Sequence, residues 1–316
     1  MKQSAEKRSS QSFLEGALIL VLATVVVKII GAIFKIPLGN LLGEEGFAYF
    51  SVAYNVFTPL YSLAMAGLPV AVARMVSENA AQKNYRDVRR ILRVSTTAFT
   101  VTGAVGSVLM LASAGFYSHK IVETPAAFLS IVCLSPAVFF CCMMSSRRGY
   151  YEGLKNMVPT AVSQMIEALF KLVFGLLFSW LVIRVGTAQF ETNQTVFGTL
   201  CESRSEAMSI IYPFSAAAAI LGVTLSTLVG ALYLHILYRV RGDHITQQQL
   251  ALSPPARGSR AILRSLLAIA IPVSLGTLAT TITSFIDSSS VLNRLKYVMQ
   301  QDPQAILKMY PGIQEK

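Results

Sequence analysis

Seven apolar stretches, each long enough to cross a bilayer as a helix, constrain this chain more than any other feature. They run Phe13–Ile36, Phe47–Ala73, Val94–Tyr117, Ala126–Ser146, Met157–Ile183, Ala207–Leu237 and Ile262–Ile286. A hydrocarbon core of about 30 Å takes about 20 helical residues. Inside it the backbone must satisfy its own hydrogen bonds, which helices do within one segment. The second, third and fourth stretches contain no Asp, Glu, Lys, Arg or His. Only 14% of the 316 residues are charged, against about a quarter in soluble domains. The reading is all-α: a polytopic transmembrane helix bundle. The opening MKQSAEKRSS has the basic character of a signal peptide, but the apolar stretch after it exceeds an h-region of ~7–15 residues. It is read as a retained helix.

A net charge of +11 raises the question of nucleic acid, and the distribution of the cations argues against it. With the amino terminus placed in the cytoplasm, the inside segments hold seventeen Lys and Arg and the closed outside loops hold Lys120, Arg184 and Arg204. That is the positive-inside bias of a membrane protein, with attraction to anionic inner-leaflet lipids as a secondary effect. The expected layout is a basic cytoplasmic tail over 1–12, a six-helix lobe over 13–238, a cytoplasmic linker over 239–261 and the start of a second lobe over 262–316. SENAAQKNYRDVRR reads as a solvated link between the second and third helices. VRGDHITQQQLALSPPARGSRAILR, with its SPP and Gly-Ser breaks, reads as the link between lobes. Seven crossings leave Arg294, Lys296 and Lys308 outside, against the rule, which suggests that the chain is part of a larger plan.

Prolines recur at Pro37, Pro59, Pro69, Pro136, Pro159, Pro213 and Pro272. Lipid tolerates such breaks where neighbours or a cavity take up the freed carbonyls, and transporters use them to line a central site. In the sixth stretch Gly222, Ser226 and Gly230 recur every four residues, a small face suited to close helix packing.

The charges inside the apolar stretches are the functional candidates. Glu167 and Lys171 stand four apart near the middle of the fifth, in the favoured order for an ion pair on one helix face. Each would cost about 2.5–3.5 kcal/mol facing lipid. They either lock helices together or line a hydrated cavity. Lys28 stands near the limit of snorkelling, which favours a cavity-facing position, whereas Lys35 beside Pro37 snorkels. Asp287 closes the seventh stretch among Ser and Asn residues that can solvate it at the boundary. Arg74, Arg147, Arg148 and Tyr150 fall at the cytoplasmic edge. RRGYYEG reads there as part of a short polar connector able to meet a lipid headgroup through bidentate arginines.

No catalytic order, P-loop or metal-ligand spacing is present in the sequence. Cys133, Cys141 and Cys142 read as small buried residues, and Cys201 stands alone in a loop. No cofactor is expected and the chain is not read as an enzyme. Any transport would draw on an ion gradient, the membrane potential or the gradient of a lipid substrate.

Three passages carry a family resemblance. GALILVLATVVVKIIGAIFKIPLGNLLGEEGFAYFSVAYNVFTPLYSLAMAGLPVAVARMVSE and RRGYYEGLKNMVPTAVSQMIEALFKL resemble polysaccharide transporters of the stage V sporulation protein B type. AIPVSLGTLATTITSFIDSSSVLNRL resembles the start of their second lobe. That group belongs to the multidrug/oligosaccharidyl-lipid/polysaccharide flippase superfamily, which also contains the lipid II flippase. The resemblance implies two helical lobes around a central cavity in the bacterial cytoplasmic membrane, twelve to fourteen helices in all. This chain would supply the first lobe and one helix of the second. The implied partner is a lipid-linked sugar or peptidoglycan precursor, with anionic lipids around the protein and a coupling ion left open. In the lipid II flippase branch, arginines on the first two helices face the cavity. Here Lys28 stands near the first-helix position, and the second helix carries no cation before Arg74. Two other readings stay open: a cation-coupled multidrug-type antiporter on the same fold, and an inactive or structural fragment of the flippase.

Overall fold

A computed structural model describes residues 13–122, 124–243 and 245–301. Its elements are α1 (Phe13–Ala81), α2 (Tyr85–Phe116), α3 (Phe128–Gly153), α4 (Val158–Asn193), α5 (Arg204–Arg241), α6 (Gln247–Leu252) and α7 (Ser259–Gln301). Two short strands, β1 (Thr195–Val196) and β2 (Thr199–Leu200), pair antiparallel between α4 and α5. Among the described residues six helices are long and apolar enough to cross a membrane, so this is a multi-pass membrane protein.

α1 accounts for two of the seven apolar stretches. Its 69 residues would run about 100 Å as one straight helix, several times the ~30 Å hydrocarbon core. It doubles back instead. Phe34 and Phe50 would lie about 24 Å apart along a straight helix, yet their ring centroids are 6.1 Å apart. The break is Gly43, at φ 64 and ψ −173, a left-handed conformation that glycine adopts without steric cost. Pro37, Pro59 and Pro69 all lie within helical arms of α1, so the sharp turn is set by a glycine rather than a proline.

The other helices pack through small and hydroxyl-bearing faces. On α5 a Cβ added at Gly222 would lie 2.5 Å from the backbone nitrogen of Gly175 on α4. Ser179 and Ser215 hydroxyls meet at 2.8 Å across the same pair. Thr224 Oγ1 donates to the Cys133 carbonyl at 2.6 Å, tying α5 to α3. Such contacts replace the hydrophobic effect as a source of helix association in lipid. Many large apolar residues also face outward, among them Leu18, Ile29, Val108, Leu177 and Trp180.

Two connectors differ from the sequence reading, and a third, after α5, is packed against the bundle. RRGYYEG is helical and belongs to α3, and Arg147, Arg148, Tyr150 and Tyr151 are all buried. The reason is close packing: backbone of Pro69 and Ala73 on α1 occupies the space that side chains at Gly149 and Gly153 would need. Helix likewise covers most of SENAAQKNYRDVRR, leaving a turn at residues 82–84 with Lys83 at φ 60. The segment after α5 lies as a strap against the start of α2. Arg89 donates to both carboxylate oxygens of Asp243 at 2.8 and 3.0 Å, and Tyr150 Oη donates to Asp243 Oδ2 at 2.9 Å. Farther along, Arg257 donates through its backbone nitrogen and Nε to Asp87, both at 2.7 Å. Burial pushes the Asp243 carboxyl upward, but hydrogen bonds from Arg89, Tyr150 and the Ile245 backbone outweigh it and hold the pKa below the usual range.

Two outcomes follow from this packing. Gly222→Ala overlaps the α4 backbone and destabilises the lobe by about 1–3 kcal/mol. Gly39→Ala, with nothing within 4 Å of the added carbon, leaves stability unchanged or slightly raised. Thermal unfolding in detergent followed through Trp180 fluorescence separates the two; equal stability of both variants contradicts the packing. For the strap, a depressed carboxyl contributes stability above the unfolded pKa of about 4 and loses it as pH falls through the folded value. Asp243→Asn should mimic acid at neutral pH, raising amide exchange over residues 245–257 by about tenfold or more; unchanged protection contradicts the strap.

A cationic cavity as the candidate functional site

The second arm of α1 presents aromatic rings every three or four residues: Phe47, Phe50, Tyr54, Phe57 and Tyr61. That spacing keeps them on one helix face, and successive centroids stand 4.7–5.9 Å apart. Across from this stripe runs α4, and between it and both arms of α1 lies a cavity of about 350 Å³. Its polar lining includes Thr24, Lys28, Tyr61, Arg148, Gln164, Glu167 and Lys171.

Arg148 is the innermost cation. Its Nη2 pairs with Glu167 Oε2 at 3.0 Å and its Nε donates to Ser163 Oγ at 3.0 Å. The Arg148 side chain is 2% exposed and that of Glu167 18%. Ser163 Oγ in turn donates to the Thr160 carbonyl at 2.8 Å, which fixes the hydroxyl as an acceptor for Arg148. The ion pair therefore joins α3 to α4, and the pairing of Glu167 with Lys171 expected from their spacing is not the one formed. Lys171 Nζ stands over the rings of Tyr54 and Phe34 at 5.0 and 5.3 Å. A desolvated ammonium over aromatic faces gains about 2 kcal/mol in favourable cases. Among the described residues neither Lys28 nor Lys171 has a carboxylate within 4.0 Å. The lining thus carries three cations against one carboxylate.

The sequence candidates divide as follows. Lys28, Glu167 and Lys171 share the cavity with Arg148, which moves there from the proposed headgroup set. Arg147 is buried and donates through Nη2 to His235 Nδ1 at 2.6 Å. Tyr150 anchors the strap. Arg74 remains exposed, in a surface pair with Glu78 at 2.8 Å that is worth at most about 1 kcal/mol. Asp287 lies on α7, and its side chain falls outside the described residues. Tyr54, Tyr61, Ser163 and Gln164 were missed. The aromatic periodicity over Phe47–Tyr61 was the available signal for the first two.

Comparison with known proteins gives the family and the fold. A family model described as polysaccharide biosynthesis protein matches residues 13–196. Stage V sporulation protein B of Bacillus subtilis (strain 168) is 25% identical over 269 residues, covering 80% of this chain and 47% of that protein. Lipid II flippase MurJ of the same organism is 28% identical over 184 residues, covering 56% of this chain and 34% of its own length. The chain spans less than half the length of these two relatives. In fold it is similar to a solved structure of MATE in the straight conformation, with TM-score 0.65 and 18% identity over 90% of this chain and 57% of the other. A transporter of the MOP superfamily from Pyrococcus furiosus gives TM-score 0.62 and 17% identity over 87% of this chain and 55% of that one. Since the family match takes in more than half of its residues, the chain belongs to the polysaccharide biosynthesis protein family.

Proposed function

We propose that the chain forms the first lobe, and the beginning of the second, of a flippase for a lipid-linked anionic precursor. The precursor is a polyprenyl-diphosphate-linked oligosaccharide or peptidoglycan unit. The observation that carries this reading is the charge of one cavity: Lys28, Arg148 and Lys171 against Glu167. A diphosphate diester brings about two negative charges, which the excess cations neutralise inside a low-dielectric bundle. Fixed cations along the path lower the cost of taking that group through the membrane. The prenyl tail stays in lipid beside the apolar outer faces of the helices while alternating access of two lobes carries the headgroup across. The amino terminus lies in the cytoplasm on the positive-inside argument. An exporter of drug cations on this fold would call for net acidic lining, the opposite of what Lys28, Arg148 and Lys171 supply.

The test is binding by the purified chain in nanodiscs. It should take a short-chain polyprenyl diphosphate in preference to a lipophilic cation such as tetraphenylphosphonium. Lys28→Gln/Lys171→Gln should lose about tenfold or more in affinity, since charge-assisted contacts contribute about 1.5–3 kcal/mol each. Preference for the cation, or unchanged affinity in the variant, overturns the reading.

A further inference from the structure

A cavity suited to an anion contains one anion of its own. Glu167 occupies the deepest cation, Arg148, at 3.0 Å, while Lys28 and Lys171 remain without a carboxylate partner among the described residues. The i,i+4 position of Lys171 would let Glu167 neutralise it at little cost. Instead the carboxylate reaches across from α4 to α3. The two contacts of Arg148 differ in kind. Ser163 is fully buried and held by the Thr160 carbonyl, so the Nε contact is fixed. Glu167 sits at the cavity face and is partly exposed, so its contact is the exchangeable one.

We propose that Glu167 is a displaceable internal counterion, a positioning residue that competes with the diphosphate of the substrate for Arg148. The proposal rests on the anionic-substrate reading above. Without substrate the carboxylate neutralises a guanidinium that would otherwise be buried and unpaired, which is strongly unfavourable. An arriving diphosphate meets Lys28 and Lys171 first, then takes over the single Nη2 contact of Arg148 that Glu167 held, while Nε stays on Ser163. Glu167 swings toward Lys171, four residues along its own helix. The binding-competent arrangement is therefore only a fraction of the empty protein, and apparent affinity is lowered by that fraction. Weakened binding serves a carrier, which must release its substrate on the far side. Charge, not shape, is what Glu167 contributes.

The chain in nanodiscs is titrated with a short-chain polyprenyl diphosphate and, separately, with inorganic pyrophosphate; the two arms separate a lipid headgroup from a free diphosphate. Glu167→Gln should bind tighter than the parent protein by about tenfold, with slower dissociation. Glu167→Asp, which keeps the charge, should stay near parental affinity. In Arg148→Gln/Glu167→Gln, which removes both members of the ion pair together, the gain should vanish. A purely structural role would not give an affinity gain that depends on Arg148. Tightening with both ligands assigns the latch to the diphosphate group; tightening with the lipid alone assigns it to a tail-anchored headgroup. Equal or weaker binding by Glu167→Gln, while the parent protein binds, overturns the latch and leaves the anionic-substrate reading intact. Binding by neither protein overturns both.

Discussion

Arg148 carries a full charge to a place where water contributes almost nothing to its solvation. It is among the largest fully buried side chains among the described residues, and Glu167 and Ser163 supply the contacts that make this tolerable. A buried ion pair of this kind adds little net stability over an apolar replacement, but breaking it is severe. Its consequence is therefore geometric. It fixes α3 against α4 at one register and leaves Lys28 and Lys171 facing the same volume from α1 and α4. The cavity, its excess of positive charge and the latch all descend from that arrangement.

The helices reach this register because their contact faces are small. Gly222 on α5 meets Gly175 on α4, and Gly149 and Gly153 bring α3 against the backbone of α1. Close approach lets serine and threonine hydroxyls bridge helices, as between Ser179 and Ser215 or Thr96 and Ser146. The bridging hydroxyls thus lie inward among buried apolar residues such as Leu38, Ile91 and Leu134, while many other bulky aliphatics face outward. A hydrocarbon surround favours polar groups kept inside and apolar surface outside. At the Asp243 end, the strap is tied along the start of α2 by arginines that the charge distribution alone would describe as a topology signal.

Length and hydropathy disclosed the architecture, because crossing lipid leaves few alternatives. The hydrophobic stretches correspond to the two arms of α1 and to α2, α3, α4, α5 and α7. Partners within the site were less accessible to reasoning from sequence. Spacing on one helix pointed Glu167 at Lys171, whereas the contact formed is with Arg148, nineteen residues away on another helix. Only the crossing of α3 and α4 decides that, and crossings depend on many small residues at once. Arg147 and Tyr150 were misplaced for a related reason. A run of arginine and tyrosine near a glycine resembles a membrane-edge connector, and the same glycines permit burial once α1 lies against them. Gly43 was not singled out, although a glycine between two apolar stretches is where a helical hairpin can reverse.

The central claim is that the cationic face is an aqueous cavity inside the bundle rather than a set of charges stranded in lipid. It is tested most directly by placing single cysteines in a background from which Cys133, Cys141, Cys142 and Cys201 have been removed. A charged, membrane-impermeant thiol reagent is then applied to the protein in lipid. Lys28→Cys and Lys171→Cys should react, and pyrophosphate should slow the reaction, while Leu177→Cys on the outer face of α4 should not react. Reaction at Leu177→Cys with silence at Lys28→Cys and Lys171→Cys would contradict the account, because the cations would then lie beyond the reach of water.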